Sequence, residues 1–268
     1  MEDEYNNRGG ETIDKIAPIM MNKELNKEVI KTLKEKKQSS TQGGFEKIVP
    51  SLIDKGIENI NLSMFSEDMR RDLLNAAGDE YIKRGMLTNA IKVFSLTKNT
   101  QRLTKIAEQY KDDGFFSNSI DVYALIGDKK ALEDLGEKMV KIGNLADASK
   151  AFIAINDKEQ LNRVAEEWYN RERYDFAIEL FNEIDNKPKL LEIGDVCTEK
   201  RQYAYAARAY ELSANPDRLS KLGDILFKEG LISSAFRLYR LAKNEIMCEF
   251  IKENFPNKIL HEDLSEQA

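Results

Sequence analysis

Six carboxylates stand 29 residues apart along the chain: Asp79, Glu108, Glu137, Glu166, Asp195 and Asp224. Acidic groups at one fixed spacing can hold a cation or present a row of negative charge to a basic partner. A metal role is suggested by the pairs Gly78-Asp79, Gly194-Asp195 and Gly223-Asp224, but these follow the 29-residue period, and the period explains them better than a ligand set does. His261 is the only histidine, which leaves no basis for histidine acid–base catalysis or a histidine-rich metal centre. No P-loop, GxSxG or HExxH spacing occurs. The expectation is a chain with no catalytic residue, no metal site and no cofactor, in which charge serves recognition.

What positions the carboxylates is a repeated unit. Residues 190–218 recur at the same 29-residue step in both directions. A leucine column runs through Leu74, Leu103, Leu132, Leu161, Leu190 and Leu219, and a small-residue column through Gly78, Ala107, Gly136, Ala165, Gly194 and Gly223. Two further columns are Ala90, Ser119, Ala148, Ala177, Ala206, Ala235 and Phe94, Tyr123, Phe152, Phe181, Tyr210, Tyr239. Apolar or small residues at i, i+3, i+4 and i+7 predict two amphipathic helices per unit. Gly85, Gly114, Gly143 and Gly230 mark the turn between them, with Glu172 and Arg201 in the other two units. Each unit closes on Asn99, Asp128, Asp157, Asn186, Asn215 or Asn244, residue types whose side chains accept from free N–H groups at a helix start. Glycine inside a helix costs about 1 kcal/mol relative to alanine, so the small-residue column predicts a close approach of the two helices.

A small residue in the first helix, a turn glycine, then an alanine and an aromatic four residues apart in the second helix resemble the tetratricopeptide repeat. Gly78, Gly85, Ala90 and Phe94 carry the pattern, as do Gly136, Gly143, Ala148 and Phe152. The period of 29 is shorter than the family's about 34, and the late proline is mostly missing. The expected fold is all-α: a right-handed α-solenoid of six antiparallel helical hairpins over residues 71–246. Residues 1–44 are expected to form a flexible N-terminal segment with one amphipathic helix near 12–37. Residues 45–70 should supply a capping helix and connection, and 247–268 a C-terminal capping helix with an acidic tail. In arrays of that family the first helices line a concave groove that holds peptides. The resemblance therefore implies that the six carboxylates form a ladder along such a groove, with Ile82, Tyr169 and Phe227 one turn on. The partner implied is a protein or peptide segment, basic or amphipathic. The alternative for the carboxylates is a solvated face paired locally with Lys83, Lys141 and Lys228.

Composition narrows the function classes. The 268 residues carry a net charge of −6, which argues against general nucleic-acid binding, since that needs basic surface. No apolar run approaches the roughly 20 residues of a spanning helix, so no membrane span is expected. Cys197 and Cys248 form no CxxC pair and fall in core columns, which fits a reducing, cytoplasmic setting. The expected function is a non-catalytic protein–protein interaction scaffold. The alternative is a permanent structural subunit of a larger assembly, of the trafficking-coat or scaffold type.

Overall fold

The computed structural model describes residues 49–54, 62 and 65–259. The expected amphipathic helix near 12–37 and the acidic tail lie outside the described residues. Among the described residues there are helices and turns and no strand. The chain divides into two compact units, Met1–Gly127 and Asp128–Ala268.

In the first unit, α1 (Val49–Asp54) packs on α2 (Glu67–Lys83), and Val49 and Leu52 are its buried residues. Arg84 fastens α1 through Asp54 at 2.5 Å and the Pro50 carbonyl at 3.3 Å. Helix α2 pairs with α3 (Leu87–Leu96), α3 packs on α4 (Thr100–Asp112), and α4 pairs with α5 (Phe116–Ile126). In the second unit, α6 (Lys129–Lys141) pairs with α7 (Leu145–Ile155), α8 (Lys158–Asn170) with α9 (Tyr174–Glu183), α10 (Lys187–Glu199) with α11 (Tyr203–Leu212), and α12 (Pro216–Lys228) with α13 (Ile232–Leu241). Helix α14 (Glu245–Asn254) packs on α13. Pro256 follows Phe255, the C-cap of α14. It opens a short α15 (Pro256–Ile259), since proline lacks only an N–H that a first helical residue does not use.

Both turns of every pair are set by backbone geometry. The turn inside each pair carries a left-handed residue at Gly85, Gly114, Gly143, Glu172, Arg201 and Gly230. The next N–H then reaches back five residues, as from Met86 to Tyr81 at 2.8 Å and from Gln202 to Cys197 at 2.7 Å, closing the helix end. A second left-handed column lies at Lys98, Gly127, Asn156, Asp185, Ala214 and Lys243. The residue after each of these is the Asn or Asp of the closing column. Its side chain accepts from the N–H three residues on: Arg102, Ala131, Gln160, Lys189, Arg218 and Met247.

The small-residue column has a sharper cause than an approach of two backbones. A Cβ placed on Gly78 would stand 2.5 Å from the Phe94 ring, one on Gly136 2.7 Å from Phe152, and one on Gly223 2.8 Å from Tyr239. On Gly194 it would meet the Tyr210 ring closer still. The aromatic ring of the second helix lies against the glycine of the first, in the space a Cβ would take. All six aromatic-column residues are buried.

Candidate functional site

Each carboxylate of the 29-residue series follows the buried small residue directly, which places it at the border between core and solvent. In the first unit Asp79 of α2 receives Arg102 Nη2 of α4 at 2.9 Å, and Glu108 of α4 is exposed. In the second unit Glu166 of α8 lies 3.1 Å from Lys189 Nζ of α10, which also meets Glu192 at 3.0 Å. Asp195 of α10 lies 3.0 Å from Arg218 of α12 and accepts the Tyr210 hydroxyl at 2.6 Å. Asp224 accepts the Tyr239 hydroxyl at 2.7 Å. Glu137 meets Lys141 one turn on at 3.8 Å, the local pairing with lysine that the sequence offers as the alternative.

The three cations that reach across share one place. Arg102, Lys189 and Arg218 each sit third after an N-cap asparagine that bonds their N–H, so each side chain points back to the preceding first helix. Sequence inspection misses them because the same place holds Ala131, Gln160 and Met247 in other units. The signal was a basic residue at three of six equivalent positions.

Ile82, Tyr169 and Phe227 are all half-buried. Tyr169 packs its ring 5.9 Å from Tyr174 and lies under Lys189 Nζ at 5.8 Å. Burial, then the charge of Glu192, raises its hydroxyl above the ordinary tyrosine range. Phe227 forms an edge-on trio with Phe250 at 6.1 Å and Phe255 at 5.7 Å, where α14 covers the end of the last pair. Trp168 stacks on Phe176 at 4.6 Å, and Arg173 lies over both rings. Cys197 is buried and its thiol is pushed up to about 11 by that burial, which removes it from thiolate chemistry. Cys248 is only half-buried, less than its place in the leucine column suggests.

Between α10 and α12 the first helices leave a groove of about 320 Å³, bordered by Asp195, Glu199, Arg218 and Lys221. Its charges are mixed and its floor is Leu222 and Ile225. Tyr210 closes one side, its hydroxyl pushed up to about 12 by burial and by the hydrogen bond to Asp195. Such a groove can hold an extended segment by side-chain ion pairs. Among the described residues no helix is long and apolar enough to cross a membrane. No protein-family model matches the chain, and no curated protein matches it.

Proposed function

We propose that this protein is a non-catalytic protein–protein interaction scaffold built from six tetratricopeptide-like hairpins wound right-handed, and that it takes a basic or amphipathic partner segment along its first helices. The observation that carries the proposal is the set of half-exposed ion pairs joining successive first helices, Glu166 to Lys189 and Asp195 to Arg218, beside an open groove. These lysine and arginine side chains occupy the carboxylates as an intramolecular stand-in for a basic ligand. Exposed pairs of this kind contribute only about 0–1 kcal/mol, so an incoming cation can exchange with them at little cost. Asp79, Glu108, Glu137 and Asp224 supply the same charge on the other first helices.

A second observation favours permanent assembly instead. Ile246 is 80% exposed and Phe250 43% exposed on α14, large apolar surface for the last long helix described. Affinity capture from native lysate at two salt concentrations separates the two functions. A groove partner should elute as salt rises, because exposed charges are screened beyond about 8 Å at physiological ionic strength. A permanent subunit should stay bound. For a captured groove partner, Glu137→Gln with Glu166→Gln should weaken binding with no loss in melting temperature. Equal affinity for parent and double variant at low salt would remove the first-helix surface from consideration.

A further inference from the structure

In the second unit the carboxylate column runs through Glu137 of α6, Glu166 of α8, Asp195 of α10 and Asp224 of α12, and its members are not alike. What differs is the residue that the following first helix presents to each. That residue sits third after the next N-cap, and it is Gln160, Lys189, Arg218 and Met247 in turn. The two middle carboxylates therefore meet a cation from the next helix, Glu166 with Lys189 Nζ at 3.1 Å and Asp195 with Arg218 Nη2 at 3.0 Å. The two outer ones do not. Glu137 has only Lys141 of its own helix, at 3.8 Å, and Asp224 has no cationic partner among the described residues.

The two cations are held differently. Lys189 also lies 3.0 Å from Glu192 and over the Tyr169 ring. Glu192 first, then Glu166, hold its ammonium above the ordinary lysine range, against the burial that opposes them. Arg218 makes one ion pair among the described residues, with a carboxylate that already accepts from Tyr210 at 2.6 Å. Lys189 and Glu166 are 31% and 33% exposed, Arg218 and Asp195 43% and 38%, so a cation from solution can reach either carboxylate. It must first displace the side chain already there. We propose that Lys189 and Arg218 form an autoinhibitory contact, in which each holds a carboxylate that a basic partner segment takes on binding. The proposal rests on the first-helix surface being the binding surface. Displacing an exposed pair is cheap, worth up to roughly fivefold in affinity for each, so the contact tunes affinity rather than closing the surface. The competition is reciprocal: a bound partner frees both cations, and α8 and α12 each lose an ion pair to α10.

The test is fluorescence anisotropy with a labelled octalysine peptide, titrated with the full chain at physiological ionic strength, where charges farther than about 8 Å are screened. Lys189→Met with Arg218→Met removes both cations and keeps much of their apolar stems. This variant should bind octalysine about five- to tenfold more tightly than the parent. Each single variant should show part of the gain, with Lys189→Met the larger, because its ammonium is held by two carboxylates. The single variants carry the test should the double one lose its fold, which melting followed in parallel reveals. Arg237→Met with Lys243→Met is the control. It lowers the net charge by the same amount on α13 and in the turn after it, at residues with no ion pair among those described. Its affinity should stay within about twofold of the parent's, since those charges are remote from the column. The proposal is overturned if the variants that lack Lys189 or Arg218 bind no more tightly than the parent, or if the control gains as much. When the parent binds octalysine and Glu137→Gln with Glu166→Gln weakens it, such a result removes the autoinhibitory contact and leaves the binding surface standing. If neither the parent nor the variants bind octalysine, both fall.

Discussion

Two tyrosines of the aromatic column do two jobs where a phenylalanine does one. Tyr210 and Tyr239 fill the space above Gly194 and Gly223, and their hydroxyls donate to Asp195 and Asp224. Burial comes first, then the adjacent carboxylate, in holding these protons above the ordinary tyrosine value of 10.0; Tyr210 reaches about 12. A raised native pKa means the unfolded chain releases its proton first. The stabilisation is therefore complete below pH 10 and is lost as pH rises through about 12. Tyr210→Phe should cost about 1 kcal/mol near neutrality through the lost hydrogen bond. The gap to the parent should close above about pH 11 in urea unfolding followed across that range. At this scale the packing was legible in the sequence, because glycine and aromatic recur in fixed columns. The pairing of the carboxylates was not. Their partners Arg102, Lys189 and Arg218 come from another helix, where residue type does not repeat.

At the scale of the helices, the two left-handed residues in each repeat are what turn a chain of helices into pairs. The first column could be read from Gly85, Gly114, Gly143 and Gly230. The second could not, since Lys98, Ala214 and Lys243 carry no preference for that conformation, and only Gly127 and Asn156, with Asp185 more weakly, hint at it. Glu172 and Arg201 keep the geometry of the glycines they replace, with φ of 57° and 58°. For a residue with a Cβ that region costs roughly 1–2 kcal/mol. Glu172 has some recompense in its 2.8 Å pair with Lys200, whereas Arg201 has only a 3.8 Å approach to Glu229. Arg201→Gly should therefore raise stability by about 0.5–1 kcal/mol, net of glycine's greater freedom in the unfolded chain, and Glu172→Gly should gain less. Chemical denaturation of both variants checks the order.

At the scale of the whole molecule, each compact unit builds its own core from adjacent pairs, so a defect should be felt by the pairs that touch it. Gly194→Leu forces a side chain into the Tyr210 ring and should cost about 1–3 kcal/mol. Amide exchange should rise in α10 and α11 and in the helices packed on them, α9 and α12, while α2 to α5 keep the parent's rates. Uniform acceleration along the chain would show one cooperative body instead. The boundary between the units falls between Gly127 and Asp128, at the junction of two copies of the 29-residue period, so each unit contains whole hairpins.

The closing asparagines give the chain a modular grammar. Asn186 and Asn215 cap α10 and α12 through the same bond, to Lys189 at 3.3 Å and Arg218 at 3.0 Å, and each follows a left-handed residue and precedes a proline within the first helical turn. The backbone therefore arrives at and leaves α10–α11 in one and the same state. Removing residues 187–215 would join Asn186 to Pro216 across a junction already used elsewhere in the chain, and duplicating them would create another of the same kind. The side chains where α9 would meet α12 and α13 would have to be refitted. The gene can thus lengthen or shorten this protein by a whole hairpin without inventing a new connection, and the length of its helical array is a quantity that duplication alone can change.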